Sequence, residues 1–183
     1  IQVNWPAGKE IDEVRWVQET ADLYGMIKAI MGYADFSSES CAVTLKELSQ
    51  FPLMRGIRQQ LHWHENPLYK FAPAPDVMKE SIWRQNFALL QEYSWSFELQ
   101  VFASQMKDAA ELATEFPATS MVLQHCGMPE DTSKDGMVVW LDGMKRLAQA
   151  PNIYCKFSGL GTFIHENSVD FITDITGQCL ELF

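Results

Sequence analysis

Short apolar runs alternate with amphipathic segments along most of the chain. The apolar runs predict six strands, near residues 1–5, 27–33, 54–61, 97–102, 120–125 and 153–158. Between them, apolar side chains recur at every third or fourth position and predict helices near residues 11–21, 106–116, 141–148 and 172–183. Gly25 suits a helix end, and Pro75-Asp76 suits a helix start. Six βα units in this order predict a parallel sheet, either doubly wound or part of a (β/α)8 barrel.

Polar side chains recur at every second position in three of the predicted strands. Arg58 and Gln60 share one face of their strand, Glu98 and Gln100 share one face of the next, and Lys156 lies in the last. A doubly wound sheet has helices on both faces, so burying these charges would cost on the order of several kcal/mol each unless they were paired. In a barrel the same residues would line the lumen, where the cations could hold a substrate carboxylate and be balanced by Glu98. The pattern therefore favours a barrel.

Composition limits the class of protein and its partners. The 183 residues, 47% of them hydrophobic, suffice for a single domain that we expect to span residues 1–183. A net charge of −10 repels nucleic acid and anionic membrane surfaces, so neither is expected as a partner. No segment resembles a membrane span or a signal peptide, and the protein is expected to be cytoplasmic. The cysteines are widely spaced and predict reduced, mostly buried thiols rather than a zinc knuckle or a disulfide framework: Cys41, Cys126, Cys155 and Cys179.

The segment MVLQHCGMP, residues 121–129, is the most informative motif in the chain. An apolar strand runs directly into His125 and a glycine-containing turn. In α/β folds, loops that leave the carboxyl ends of parallel strands line the ligand crevice. His125 is therefore a candidate catalytic residue, although a buried histidine that bonds a backbone carbonyl would give the same pattern.

Two other motifs invite a functional interpretation. His62 and His64 form an H-x-H pair whose side chains would project the same way from an extended segment and could share a metal ion, with His125 as a third ligand if the fold allows. A solvated loop or a hydrogen-bonded pair explains them equally well. The run Gly159-Leu160-Gly161 begins like a dinucleotide fingerprint, but Ile164 stands at the third glycine position, so no nucleotide is expected there.

Four segments taken together resemble the amidohydrolase-2 family: RGIRQQ (55–60), FELQVF (97–102), VLQHCGMP (122–129) and CKFSGL (155–160). The resemblance is to its branch of TIM-barrel metal-dependent hydrolases, which includes 2-pyrone-4,6-dicarboxylate lactonase and sugar-acid lactonases. It implies an incomplete (β/α)8 TIM barrel in which the six predicted strands are the second to seventh. The family's H-x-H of the first strand would precede Ile1, and its aspartate of the eighth strand would follow Phe183.

The resemblance also implies roles for particular residues. His125 matches the histidine of the sixth strand, which would polarise the carbonyl, bind a metal or shuttle a proton. Arg58 and Lys156 fall near cationic substrate-binding positions, with Gln100 and His64 shaping the pocket. A divalent metal, zinc in some branches, is the implied cofactor, whereas one lactonase branch does not require a metal.

We therefore expect a hydrolase that opens a small carboxylated lactone or cyclic ester with an activated water. A metal-dependent decarboxylase of the same family fits a carboxylate-binding pocket equally well. A third hypothesis is a non-catalytic truncated barrel that binds a ligand or another subunit, including a second copy in a homo-oligomer that closes the gap.

Overall fold

The computed structural model of the chain describes residues 8–165 and 168–183. Its strands are β1 (Ile30–Gly32), β2 (Met54–Gln60), β3 (Ser96–Gln100), β4 (Met121–Leu123) and β5 (Ile153–Cys155). Its helices are α1 (Glu10–Tyr24), α2 (Cys41–Leu48), α3 (Ser81–Ala88), α4 (Met106–Glu115), α5 (Lys134–Leu147) and α6 (Val169–Leu182). Short 3₁₀ turns lie at Pro67–Tyr69, Val77–Lys79, Leu89–Gln91 and Ala103–Gln105, and residues 124–127 form a turn whose backbone is left-handed from His125 onward.

The order of the strands in the sheet decides between the two predicted architectures. The strands lie in the order β1-β2-β3-β4-β5, and every neighbouring pair is parallel. In a doubly wound sheet the order in which successive strands are added reverses at a switch point. In a barrel each strand is added beside the one before it, always in the same direction. The described sheet is therefore the wall of an incomplete TIM barrel.

The first predicted strand, near residues 1–5, lies outside the described residues, and the other five predicted strands are confirmed. The predicted helices near residues 11–21, 106–116, 141–148 and 172–183 are confirmed as α1, α4, α5 and α6. The glycine after α1 is also confirmed as its stop: Gly25 has φ 67° and donates its N–H to the Ala21 carbonyl at 2.7 Å. Helix α2 was not predicted. The helix start at Pro75-Asp76 is confirmed for the 3₁₀ turn Val77–Lys79, which Asp76 directly precedes, and α3 begins after it at Ser81.

One face of the sheet packs on the helices and forms the core. Ile57, Phe97, Leu99 and Leu123 all point to this side and are fully buried. An aromatic cluster extends the core beneath α3, where the rings of Trp83 and Phe87 stack with centroids 4.9 Å apart. None of the helices in the described part of the chain is long and apolar enough to cross a membrane.

The other face carries the polar residues, as the sequence predicts for a barrel lumen. Arg58 pairs in register with Glu98, Glu98 with Val122, and Val122 with Tyr154, so the four side chains form one row across β2 to β5. The row begins with Arg58, which is partly buried, continues with the buried Glu98, and ends with Tyr154, which is 56% exposed. This face positions the candidate site.

Candidate active site

An unusual turn carries His125 away from the end of β4. His125, Cys126, Gly127 and Met128 have φ values of 56°, 51°, 73° and 46°, so four consecutive residues lie in the left-handed region. Each non-glycine residue there costs roughly 1–2 kcal/mol. Strain of this kind persists only where the surrounding structure enforces it, and it clusters at functional sites.

Hydrogen bonds to both sides hold the turn in place. The Cys126 N–H donates to the carbonyl of Lys156 at 3.1 Å, which ties the turn to the segment after β5. From the opposite side, Trp140 Nε1 donates to the Cys126 carbonyl at 2.9 Å. The Met128 N–H closes the turn on the carbonyl of His125 at 3.0 Å. The position of the imidazole is therefore fixed by β4, β5 and α5 together.

Ser158 and Gly159 orient the His125 ring. Nδ1 of His125 lies 2.9 Å from Ser158 Oγ. Gly159 has φ 56°, and a Cβ atom at this position would lie 2.5 Å from that same Nδ1. Only glycine leaves room for the ring, which accounts for the residue at position 159.

Burial is the main reason why the pKa of His125 lies below its usual value. The guanidinium of Arg58 and the ammonium of Lys156 lower it further, while a hydrogen bond to the Ser158 backbone and the Glu98 carboxylate oppose them. A neutral imidazole at neutral pH can accept a proton or donate a hydrogen bond, as hydrolytic chemistry requires.

Two cations share one carboxylate beside the histidine. Glu98 forms an ion pair with Arg58 and a second one with Lys156, at 3.1 Å between Nζ and Oε1. Arg58 Nη2 also donates to Gln124 Oε1 at 3.0 Å. The side chain of Arg58 is 15% exposed and that of Lys156 is 42% exposed. One net positive charge remains, and Lys156 is the cation more accessible to an anionic ligand.

Gln100 and His64, the other predicted pocket residues, lie farther along the strand ends. Gln100 is buried, and its Oε1 has no hydrogen-bond partner. His64 is half-buried, accepts the Asn66 N–H on Nδ1 at 2.9 Å, and contacts the rings of Tyr69 and Phe102 edge-on. The structure thus leaves the side-chain oxygen of Gln100, but not His64 Nδ1, without a hydrogen-bond partner.

His62 contacts the same Phe102 ring as His64, and its sequence allowed three interpretations: half of a metal pair, part of a solvated loop, or part of a hydrogen-bonded pair. It is fully buried among the rings of Phe71, Phe102 and Phe163, at centroid distances of 4.7, 5.2 and 5.4 Å. Neither ring nitrogen has a partner, and burial lowers its pKa to about 4. Its period-two spacing from Arg58 and Gln60 is the signal from which burial beyond the end of β2 could have been predicted.

A family model described as amidohydrolase (Amidohydro_2) matches residues 3–183. The chain belongs to the amidohydrolase family. The uncharacterised protein y4mH of Sinorhizobium fredii is 39% identical over 156 residues, which are 85% of this amidohydrolase chain and 51% of that protein. An L-fucono-1,5-lactonase of Burkholderia multivorans is 28% identical over 166 residues, or 88% of this chain and 53% of the lactonase. The chain spans about half the length of the curated relatives it matches.

Solved structures confirm the fold of this amidohydrolase. A crystal structure of a Burkholderia multivorans amidohydrolase with bound zinc has a TM-score of 0.78 at 23% identity, covering 94% of this chain and 60% of that one. The structure of a probable 2-pyrone-4,6-dicarboxylic acid hydrolase from Acinetobacter baumannii, with citric acid bound, has a TM-score of 0.67 at 13% identity. It covers 98% of this chain and 60% of that chain. Both likenesses concern the barrel.

The residues near His125 do not by themselves complete the metal site that the family implies. In the regions the structure describes, no His, Asp or Glu atoms form a group of three ligands within 4.8 Å of one another. The Glu98 oxygens are engaged by Arg58 and Lys156, and Nδ1 of His64 accepts a backbone N–H. A metal at this site would need further ligands, so no chemical step of this amidohydrolase chain is assigned to one.

Proposed function

We propose that this chain forms the active-site wall of a hydrolase that opens small carboxylated lactones. The observation that carries the proposal is His125, held by a strained turn and by Ser158 beside the ion-paired cluster of Arg58, Glu98 and Lys156. Relatives named L-fucono-1,5-lactonase supply the reaction class, ring opening of a cyclic ester.

Each residue has a role that follows from its surroundings. The more exposed ammonium of Lys156 binds the substrate carboxylate. Arg58, held by Glu98 and Gln124, contributes further positive potential to the same pocket. Gln100 lies on the same face and turns its amide to polar atoms of the ring. His64, with its aromatic neighbours, forms a side of the pocket.

In this proposal His125 acts first as general base and then as general acid. Attack of water on the ester carbonyl releases a proton, and cleavage of the ring C–O bond requires one on the departing alkoxide. A neutral imidazole oriented by Ser158 can take the first proton and return it to the leaving oxygen. Arg58 and Lys156, which lower the pKa of His125, favour the return step.

The decisive experiment compares a pyranone carboxylate with its methyl ester in a proton-release assay. Replacing Lys156 with Met should raise KM for the acid by on the order of tenfold and leave the ester nearly unchanged, because only the acid loses a charge-assisted contact. Lys145→Met, at an exposed position on α5, is the matched control and should change neither.

His125→Ala should reduce ring opening by at least about a hundredfold for both substrates. Undiminished turnover by this variant would overturn the role of His125. Release of carbon dioxide without ring opening would favour the decarboxylase instead. Thermal stabilisation by the acid without turnover would favour a binding function.

We also propose a reducing compartment, the cytoplasm. The support is that all four cysteines are free, although three of them lie close together.

A further inference from the structure

Three cysteine sulfurs meet behind His125, on the helix-covered side of the sheet. Cys126 lies in the left-handed turn, Cys155 is the last residue of β5, and Cys179 lies on α6. Their Sγ atoms all lie within 4.8 Å of one another. Cys126 and Cys179 are fully buried, Cys155 is half-buried, and none forms a disulfide.

The fold, rather than sequence spacing, brings the three thiols together. Strands β4 and β5 are parallel neighbours, with Leu123 paired to Cys155. The left-handed turn returns the chain to the level of the β5 end, where the Cys126 N–H bonds the Lys156 carbonyl. Helix α6 covers this point and buries Cys179 against it. A right-handed backbone at these residues would direct the Cys126 side chain away from the other two thiols.

The geometry suits a single ion bound by three sulfurs. A metal–sulfur bond of about 2.3 Å places three sulfurs around one ion about 4 Å apart. The observed limit of 4.8 Å therefore needs only small side-chain adjustments. In the described ranges, no fourth His, Cys, Asp or Glu atom joins the group.

The donor set also selects the kind of ion. Three thiolates without carboxylate favour a soft cation and reject magnesium and calcium, which require oxygen ligands. Structural zinc takes four ligands in a tetrahedron, whereas copper(I) is satisfied by three thiolates. The half-buried Cys155 gives the ion a route of entry.

We propose that Cys126, Cys155 and Cys179 form a three-thiolate site for one copper(I) ion, which fastens α6 to the ends of β4 and β5. Binding replaces the thiol protons, which leave to solvent, and the copper is not oxidised or reduced. The site is separate from the pocket in front of His125 and does not rest on the lactonase proposal.

The test is an anaerobic titration of the reduced protein with copper(I) buffered by bathocuproine disulfonate. We expect one ion per chain, a sulfur-to-copper charge-transfer absorption in the near ultraviolet, and a higher Tm. Cys179→Ser should weaken copper(I) binding by on the order of a hundredfold, at least as much as the loss of an outer-shell partner. Cys41→Ser, at a buried cysteine on α2 outside the cluster, is the matched control and should bind as the unaltered protein does.

Alkylation of the unaltered protein keeps the test independent of whether a variant folds. Copper(I) should protect Cys155, the half-buried member of the cluster, from iodoacetamide in the folded protein, as mapped by peptide mass, and leave the labelling of Cys41 unchanged. Failure to compete with the chelator, equal loss in the Cys41 variant, or a disulfide within the cluster after purification under reducing conditions would each overturn the proposal. Tighter binding of zinc(II) than of copper(I) would overturn the three-coordinate assignment.

Discussion

The imidazole of His62 is buried among three phenylalanine rings, and neither of its nitrogens has a hydrogen-bond partner. Its pKa is lowered from 6.5 to about 4, so protonation favours the unfolded chain. The stability from the neutral ring is complete above pH 6.5, is lost as the pH falls towards 4, and changes no further below that.

His62→Gln should therefore flatten the dependence of stability on pH. Between pH 7.5 and 5, the unaltered protein should lose about 2 kcal/mol more of its unfolding free energy than the variant, the value that the shift in pKa implies. Urea denaturation at several pH values measures this difference. The two proteins should have equal slopes between pH 7.5 and 9, and equal slopes between pH 6.5 and 5 as well would contradict the assignment.

In the proposed function, Gly159 affects turnover through the room it leaves for the His125 ring. A Cβ atom there would lie 2.5 Å from Nδ1, and the positive φ adds strain of about 1 kcal/mol. Gly159→Ala should displace the ring and lower kcat/KM by on the order of a hundredfold.

Gly177→Ala is the matched control for this change. In α6 a Cβ atom at position 177 has nothing within 4 Å, so the substitution should stabilise the helix by up to about 1 kcal/mol and leave turnover unchanged. Lactone turnover and urea denaturation of both variants check the pair. Full activity in Gly159→Ala would show that the ring is oriented by other contacts.

Period-two spacing was sufficient to place Arg58, Glu98 and Lys156 together on the lumen side, because side chains alternate along strands. It did not reveal how they pair. Gln124, which follows β4, bonds Arg58 of β2, and Ser158, which follows β5, bonds His125 after β4. These partners depend on the register between strands, which one chain segment does not encode.

At the scale of the elements, the turn after β4 gives a prediction with an unusual sign. Position 125 has φ 56°, a conformation that strains any residue with a Cβ atom. Glycine is free of this backbone strain there, whereas alanine is not. His125→Gly should be more stable than His125→Ala by about 1 kcal/mol, although both lack the imidazole. Ala110→Gly in α4 is the matched control and should lose about 1 kcal/mol. Urea denaturation compares them, and a less stable glycine variant at position 125 would contradict the left-handed turn.

Two element predictions were wrong, the end of the fourth described strand and the missing helix α2, and each has its own physical reason. The strand predicted to continue to residue 125 ends at Leu123, because alternation of side chains does not report the sign of φ. Helix α2 carries its buried residues Cys41, Leu45 and Leu48 at helical spacing, but the segment is only one short amphipathic stretch. Long periodic helices such as α1 and α4 were predicted because their patterns extend over several turns.

At the scale of the whole molecule, the barrel could be predicted from polar side chains on the lumen face, because two-sided helix packing would bury them unpaired. The three-thiol cluster could not be predicted in this way. Cys126, Cys155 and Cys179 are distant in sequence, and their meeting depends on a left-handed turn and on the docking of α6. Tertiary contacts of this kind follow from the assembled fold.

The open side of the sheet leads to a last prediction, for the 183-residue chain by itself. In the described part of the chain, β5 pairs only with β4, and Tyr154 on the lumen face is 56% exposed. Unpaired parallel edges and exposed apolar surface favour association between copies. The net charge of −10 opposes it, and salt weakens that repulsion as the Debye length falls from about 30 Å at 0.01 M to about 10 Å at 0.1 M.

Sedimentation velocity should therefore show self-association that grows with both protein concentration and salt. Tyr154→Lys should weaken it by placing a hydrated charge on the open face, because burying that charge between copies would be costly. Tyr24→Lys, at the exposed end of α1, makes the same change of residue and of net charge as Tyr154→Lys. It should leave association unchanged. A monomer at all salt concentrations would mean that the face and the β5 edge are covered within the chain itself, whereas equal effects of the two variants would attribute association to net charge alone.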